Sequence, residues 1–498
     1  MRQLALLLFL LPSLALAQLQ THNTEITRGG ALRRTEYQSY AAQTLYVDLT
    51  GNDQNACTAA GTSACFTLAG AVAKLPKQIR NATTINIAPG TYTESLVIVS
   101  DFRIMYGGSL TFTGAMGLYT PATGTSTGAV TTYTPQTGAT SPGLTSVAQT
   151  WTADNLRGRF ITMTSGGAIG QRRVITANTA TGVTLLYGFT VAPLPGDTYQ
   201  IETPSVEFTN GMFVSNVYSA QSAIYMLLFQ QLSITRASGN VFAFSSGNTL
   251  SMTDVRLVGG ATTSTYGLTV TNLKSAPIFA LLTDVYAEGA QTGASFTQSG
   301  PIAVLGGLMA FTQGTHALAG VGLALVDSYL VSSGGGIWAE TRKTGAQAVA
   351  MSRVSKWHAG APVLSVVKCG GLAGSRGIDL TGGDSASYPI PASDDVGLTT
   401  VVGQAGAVMS ISNCADGVYA GLPGTLFSWQ SGTLAIDNAL TAAFRVGQGG
   451  KIGLVGATVT VATSGSEITM DGAAYTLAFL TSLTPAVISN QYGSTIWK

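Results

Sequence analysis

Apolar and polar residues alternate over short segments in the middle of the chain, and the phase of the alternation changes inside each segment. In residues 250–257, Leu250 and Met252 share one parity, whereas Val255 and Leu257 share the other. Side chains of a strand point alternately to its two faces, so apolar residues of both parities can face one core only where the chain turns a corner. The pattern therefore predicts two short strands joined by a corner at Asp254.

The same segment recurs along the chain. Residues 280–287 and 323–330 align with residues 250–257, and residues 349–356 align with them more loosely. The corner position returns at intervals of about 20–30 residues, a period typical of solenoid proteins. Aspartate favours such corners because it tolerates left-handed backbone angles and bonds to its own backbone. The pattern thus predicts one column of stacked corner residues: Asp254, Asp284, Gly307, Asp327 and Arg353.

Residues 85–99 organise the start of the chain. A short apolar strand is broken by Pro89 and Gly90, and a second strand follows around Leu96 and Ile98. Before it, residues 66–75 carry apolar side chains at helical spacing, which predicts a helix that covers the open end of a stack of strands. The prediction is an all-β protein: a right-handed parallel β-helix (solenoid) with an N-terminal cap helix and an inserted small β module.

The opening segments resemble a known superfamily. The segments YVDLTGND, ACFTLAGAVAKLP and INIAPGTYTESLVI are similar to the start of pectin-lyase-like β-helix proteins, over about residues 45–107. This resemblance implies the fold, whereas many secreted lyases, esterases and adhesins share the opening. Residues 90–94 and 347–351 also resemble segments of pectin methylesterases, but the segments that carry that family's two aspartates and its arginine are missing.

The chain divides into six predicted parts. They are a signal peptide at 1–17, an N-terminal arm at 18–43, a β-helix start with a long loop at 44–149, an inserted small β module at 150–203, β-helix coils at 204–399, and C-terminal coils or a capping β region at 400–498. The module resembles inserts of other β-helix exoproteins and phage tail proteins. Two interpretations of the module are open: Trp151, Arg172 and Arg173 could bind a ligand there, or the module could be a structural insert whose tryptophan packs in its own small core. We favour the second interpretation.

The first 17 residues have the features of a signal peptide. Arg2 precedes an apolar run, and Ala15 and Ala17 form a cleavage motif. Secretion to the extracellular space or the cell surface is therefore expected, and no later stretch is long and apolar enough to span a membrane. An even number of cysteines in an exported chain favours disulfides. The simplest pairing is Cys57 with Cys65 and Cys369 with Cys414.

Charge is scarce along the chain. Charged residues make up 9% of the 498 residues and the formal net charge is +1, whereas an ordinary domain carries about 25% charged residues. Nucleic acid is therefore not an expected partner, because no basic stripe is present to displace phosphate counterions. Apolar outer faces would fit association into a homo-oligomer.

Three groups of residues are candidate sites. Lyases need a base with carboxylates, and hydrolases need paired carboxylates; the candidates are Asp327, Arg353, Glu340 and Arg342. Aromatic rings and a histidine one coil apart could stack and orient a sugar: Trp338, Trp357 and His358. Carboxylates in an acid-rich loop beside Arg376 could hold Ca²⁺: Asp379, Asp384, Asp394 and Asp395. No cofactor is required by any recognised motif.

Three functions remain open from the sequence. The favoured one is a non-catalytic structural, adhesive or binding role toward an extracellular polysaccharide or another surface component. The alternatives are a polysaccharide lyase or glycoside hydrolase, and a tailspike-like trimeric fibre protein.

Overall fold

A computed structural model describes most of the chain after residue 38. The described residues are 39, 41–99, 102–104, 107–215, 226–245, 249–263, 266–271, 280–299, 301–313, 320–332, 335–343, 345–360, 364–370, 374–381, 399–421, 424–430, 432–439, 441–447, 450–455, 457–463, 466–471, 475–479, 488–491 and 495–497. The predicted signal peptide, the arm before residue 39, and Asp384, Asp394 and Asp395 lie outside them.

The chain forms a parallel β-helix of about eleven turns. Each coil contributes one strand to each of three parallel faces, and strands of successive coils pair in register, as Phe112 does with Phe229 and Phe229 with Met252. Inward side chains of successive coils form one continuous core between Leu45 and Val459. Rings stack along it, for example Phe112 on Phe229 with centroids 4.9 Å apart. The predicted β-helix architecture is confirmed.

The strands fall into three faces, and two long strands bend from the first face into the second. Face 1 contains Gln43–Val47, Ala82–Ile87, Ser109–Thr113, Met226–Gln230, the first halves of Thr249–Thr263 and Ala280–Gly289, Pro301–Val304, Tyr329–Ser332, Lys356–Ala359, Thr399–Gly403, Thr425–Gln430, Lys451–Val455, Tyr475–Phe479 and Thr495–Trp497. Face 2 contains Gly90–Tyr92, Val206–Phe208, Ser233–Ser238, the second halves of the two long strands, Gly307–Thr312, Gly336–Thr341, Leu364–Lys368, Val408–Ser412, Thr433–Ala439 and Thr458–Thr463. Face 3 contains Leu96–Val99, Met212–Ser215, Phe242–Ser245, Tyr266–Thr271, Thr292–Thr297, Val321–Val326, Gln347–Ser352, Arg376–Thr381, Asp416–Ala420, Ala442–Val446, Ser466–Asp471 and Ile488–Gln491.

The prediction that the corner residues form one column is wrong, because the structure divides them between two corners of the coil. Asp254 and Asp284 lie at the corner between faces 1 and 2, whereas Asp327 and Arg353 lie at the corner between faces 3 and 1. All four have a left-handed backbone, with φ between 51° and 59°. One left-handed residue between two strands reverses the parity of the inward positions at any corner, which is why two corners give the same sequence pattern.

The predicted cap helix is present and shorter than expected. Helix α1 spans Leu68–Ala73, and Leu68 and Ala71 are buried in the main core. The Thr67 hydroxyl accepts the Gly70 amide at 2.9 Å as the N-cap. The Glu94 carboxylate accepts the amides of Leu68 and Ala69 at 2.7 and 3.0 Å. The glutamate of the pectin-methylesterase-like segment therefore has a helix-capping role here.

Both predicted disulfides are confirmed. Cys57 pairs with Cys65, with Cα atoms 4.9 Å apart, next to the first strand of face 1. Cys369 and Cys414, with Cα atoms 5.0 Å apart, link neighbouring coils beside the corner between faces 2 and 3. Within the described part of the chain, no helix has the length and apolar content needed to span a membrane.

The inserted module is antiparallel and begins earlier than the sequence predicts. Its strands are Met116–Leu118, Thr127–Ala129, Thr132–Thr134, Gly143–Thr145, Phe160–Met163, Arg172–Asn178, Gly182–Leu185 and Thr198–Pro204. Within the part predicted as β-helix start and long loop, residues 109–113 form a face 1 strand, and residues 116–145 add short strands that pair with the later strands of the module. The module leaves the β-helix between faces 1 and 2, where the Ser205 amide donates to the Ala115 carbonyl at 2.7 Å.

The module has its own core, separate from that of the β-helix. Trp151 is buried there, and its indole N–H donates to the Thr125 carbonyl at 3.0 Å. The packing interpretation of Trp151 is therefore correct. Arg173 is also structural: its guanidinium lies over the ring of Tyr187 at 4.3 Å and donates to the Gly188 carbonyl at 2.8 Å.

Candidate functional site

The module packs on the outer side of face 2. Large apolar side chains occupy outward positions there: Tyr286, Met309 and Trp338 follow one another in register. We call the contact the interface cluster, which joins Phe160, Val174 and Leu186 of the module to Tyr286, Met309, Phe311, Trp338, Leu364 and Val366 of face 2. The apolar outer residues that would fit association with another chain are thus covered, on face 2, by the same chain.

Two face 2 residues predicted as catalytic candidates are tied to the module by ion pairs. Glu340, whose side chain is 3% exposed, lies 2.9 Å from the guanidinium of Arg157. Glu340 also accepts the indole N–H of Trp338 at 2.8 Å. Arg342 pairs with Asp154 of the module. Burial by itself raises the pKa of Asp154, but the guanidiniums of Arg157 and Arg342 outweigh this effect and hold that pKa below its ordinary value. Glu340 and Arg342 therefore both make contacts that hold the module in place.

Further polar contacts attach the module at the corner between faces 1 and 2. Arg172 donates to Asp254 at 2.7 Å and to Glu202 at 2.9 Å. The hydroxyl of Tyr187 donates to Asp284 at 2.7 Å. Burial raises the pKa of Asp284 to about 7, and it also raises the pKa of Asp254 despite the neighbouring guanidinium. These aspartates join the corner to the module.

A polar cleft of about 230 Å³ opens at one end of the interface cluster. We call it the arginine cleft. Its charged lining consists of Asp154, Arg157, Arg159, Arg256, Glu288 and Arg342, beside the rings of Tyr286 and Phe311. The Glu288 carboxylate accepts the Tyr286 hydroxyl at 2.7 Å and the Gln313 amide at 2.6 Å. Four guanidiniums at one small cleft give it the character of an anion site.

A second cleft, of about 560 Å³, opens at the opposite end of the face 2 strands. We call it the aromatic cleft. Tyr133, Tyr187 and Phe189 of the module face the backbone of Gly335 and Gly336. A side chain on Gly336 would meet the Leu364 and Leu186 carbonyl oxygens at 2.8 and 2.9 Å, so close approach of the module requires glycine there. Tyr133 and Tyr187 are half-buried and Phe189 is buried, so the two tyrosine rings and the bare backbone bound a slot that suits a flat, partly apolar ligand.

A third, more open groove of about 490 Å³ lies at the corner between faces 3 and 1. It brings together two predicted site residues, Asp327 and His358, with Tyr329 and Lys356. The Tyr329 hydroxyl and the His358 ring nitrogen Nδ1 are 3.2 Å apart. Burial and the charge of Lys356 lower the pKa of His358, which favours its neutral form.

The other predicted residues are separated from these clefts. Trp357 is wholly buried in the main core, and Trp338 is 5% exposed in the interface cluster, so neither ring is available for stacking. Asp379 accepts from Arg376 at 2.9 Å on face 3. Among the described residues, no three histidine, cysteine or carboxylate side chains are grouped as metal ligands. The sequence interpretation missed Arg157, Arg159, Arg256, Tyr133 and Phe189.

Comparisons with known proteins identify no family. No protein-family model matches the chain, and no curated protein sequence matches it. Among solved structures, the tailspike protein gp49 from Pseudomonas phage LKA1 is 12% identical over 84% of this chain and 74% of that chain, with a TM-score of 0.26. The gp54 tailspike of Acinetobacter baumannii bacteriophage AP22, in complex with a capsular saccharide, is 10% identical over 83% and 72%, with a TM-score of 0.20. A glycoside hydrolase is 9% identical over 91% and 96%, with a TM-score of 0.19. Similarity this low carries no inference about function.

Proposed function

We propose that this protein binds an extracellular polysaccharide along the line where the module meets face 2. The aromatic cleft is the observation that carries the proposal, because the half-buried rings of Tyr133 and Tyr187 offer ring surface opposite the glycine backbone. Sugars present flat apolar faces to aromatic rings, and their hydroxyls hydrogen-bond at the rim. A polymer suits the site because the aromatic and arginine clefts lie at opposite ends of the same interface cluster.

Secretion belongs to this proposal. Two disulfides support an oxidising compartment. The apolar, Ala- and Arg-containing start of the sequence supports export. A surface-attached or released protein would meet polysaccharide there.

Replacing Tyr133 by alanine is expected to weaken polysaccharide binding by about two- to tenfold, because one stacking ring contributes roughly 0.5–1.5 kcal/mol. Tyr133→Phe keeps the ring and loses only the hydroxyl that accepts the Phe189 amide at 3.1 Å, so it should bind within about twofold of the wild type. Affinity electrophoresis and calorimetry over a panel of acidic and neutral polysaccharides measure both. Unchanged binding by Tyr133→Ala would move the site away from the aromatic cleft.

A glycoside hydrolase is the second candidate, and one observation favours it. Asp154 and Glu288 line the same cleft, as the paired carboxylates of a hydrolase must. If the chain cleaves polysaccharide, Glu288→Gln should lower the release of new reducing ends by about 10²–10⁴. Equal release of reducing ends by the wild type and Glu288→Gln would exclude Glu288 from catalysis. Asp437→Asn, a substitution outside the cleft, is the matched control and should release reducing ends at the wild-type rate.

A further inference from the structure

Arg159 and Arg256 differ from the other two arginines of the arginine cleft because neither forms an ion pair with a carboxylate of the described part of the chain. Arg157 is paired with Glu340, and Arg342 is paired with Asp154. Among the described residues, the ion pairs with an N–O distance of 4.0 Å or less include neither Arg159 nor Arg256. Two positive charges therefore face the cleft without a directly bound acid.

Both arginines are partly exposed, but each has a buried Nε atom, and burial makes the lack of a partner for that atom costly. The Nε atoms of Arg159 and Arg256 are both buried and have no hydrogen-bond partner among the described residues. Arg159 donates only through Nη1, to the Thr203 hydroxyl at 2.9 Å, and lies 4.2 Å over the Tyr119 ring. Burial, together with the nearby charge of Arg159, lowers the pKa of Arg256 to about 10, so Arg256 keeps its charge at neutral pH.

The acids around the cleft attract this pair without contacting it directly. Glu288 lines the cleft and attracts Arg256, but it forms no ion pair with either arginine, and its oxygens accept from Tyr286 and Gln313 instead. Glu207 attracts Arg256 from further away and accepts from the Thr235 hydroxyl. An isolated buried charge usually has a partner in a protein. Among the residues that the structure describes, this cleft holds no such partner, which points to a ligand.

We propose that Arg159 and Arg256 bind the carboxylate of an acidic sugar, so that the polysaccharide bound at this junction is an acidic glycan. A guanidinium and a carboxylate are both planar and can form two parallel hydrogen bonds, which fits two unpaired arginines at a narrow cleft. The ion pairs of Arg157 and Arg342 fix the walls on either side. This inference rests on the proposed function, and it names the class of glycan and the residues that select it.

Thermal unfolding with a small acid tests the anion site without a polymer. Sodium glucuronate is compared with glucose plus sodium chloride at equal ionic strength. The Tm of the wild type should rise by about 1–2 °C in glucuronate. Arg256→Met and Arg159→Gln should show no rise, and Arg80→Gln, an exposed arginine near Gln78, should respond as the wild type does. An equal rise in Arg256→Met and wild type would overturn the inference.

The Tm without ligand separates a binding role from a structural one. Arg256→Met removes a buried charge without a partner, so the variant should unfold at the same or a higher temperature than the wild type. A marked fall in Tm would identify Arg256 as structural, which contradicts its role as a ligand-binding arginine. In that case the glucuronate test depends on Arg159→Gln alone. A rise in Tm in Arg159→Gln equal to that of the wild type would then overturn the role of Arg159 as well.

A matched pair of polymers tests the glycan class. Uronate polymers, with polygalacturonate as the first, are compared with the same polymers after reduction of their carboxylates to alcohols. The wild type should prefer the acidic form, and Arg256→Met should lower that affinity by about 10–100-fold without affecting the reduced form. Equal binding of both forms by the wild type would contradict the inference and leave the proposed function intact. A different outcome is a rise in Tm with glucuronate that depends on Arg256, while no polymer binds. That outcome would support the anion site and contradict the proposed function.

Discussion

Replacing Glu340 by alanine is expected to lower the free energy of unfolding by about 3 kcal/mol, among the largest effects of any single substitution outside the main core. The side chains of Glu340 and Arg157 are 3% and 7% exposed, and their charged atoms are 2.9 Å apart. Removing the carboxylate leaves the guanidinium buried, and Asp154, 3.3 Å away and shared with Arg342, compensates only in part. The indole N–H of Trp338 also loses its acceptor.

The double variant Arg157→Met, Glu340→Leu is the decisive control. Removing both charges leaves no buried ion, so its free energy of unfolding should lie within about 1–2 kcal/mol of the wild type. Urea unfolding followed by tryptophan fluorescence measures the stability of each variant, and Trp338 of the interface cluster is one of the tryptophans that contribute to the signal. A double variant as unstable as Glu340→Ala would show that the ion pair is not the source of the loss. The loss of stability would then come from the packing of the interface cluster, which would depend on Glu340.

The β-helix could be predicted from the sequence because it is encoded locally. The parity change at Asp254 and its recurrence at Asp284 follow from backbone geometry within about ten residues, and the structure places left-handed residues at both positions. The same locality explains the error at Asp327 and Arg353. A corner has the same local pattern wherever it stands in the coil, so the pattern cannot tell which two faces it joins.

The site could not be predicted in the same way because it is formed by distant parts of the chain. Arg159 of the module and Arg256 of face 2 meet only because the module folds back over the solenoid. One signal was present in the sequence: Tyr286, Met309 and Phe311 stand at positions that the parity pattern assigns to the outside. Large apolar side chains on an outer face indicate a covering element, and the module is that element.

The sequence pattern also singled out residues that make structural contacts. Glu340, Arg342 and Trp338 lie close together at one strand of face 2, where Glu340 and Arg342 form ion pairs with the module and Trp338 donates to Glu340. Their spacing along one strand gives proximity, whereas availability to a ligand depends on what packs over the strand. That information lies about 150–190 residues away, in the module.

Replacing Asp284 by asparagine is expected to stabilise the protein above pH 7. Burial raises the pKa of Asp284 from 3.8 to about 7, so the folded protein holds this proton up to about pH 7 while the unfolded chain releases it near pH 4. Folding then takes up a proton in this range, and the stability of the wild type falls as pH rises from about 4 to about 7. The full cost above pH 7 is about 4 kcal/mol, since one pKa unit corresponds to about 1.4 kcal/mol.

Asparagine removes the charge and keeps the geometry that the corner needs. It tolerates the left-handed backbone of residue 284, where φ is 51°, and its amide oxygen can accept the Tyr187 hydroxyl that now donates at 2.7 Å. The urea unfolding curves of the wild type and Asp284→Asn should therefore coincide near pH 4 and separate above pH 7, with Asp284→Asn the more stable.

Asp254→Asn is the matched control at the same corner, with φ of 54°. Its carboxylate is paired with Arg172 at 2.7 Å, which offsets part of the burial that raises its pKa, so this variant should gain less stability at high pH than Asp284→Asn. A loss of stability in Asp284→Asn above pH 7 would mean that the charged carboxylate itself, held by Tyr187, attaches the module to the corner.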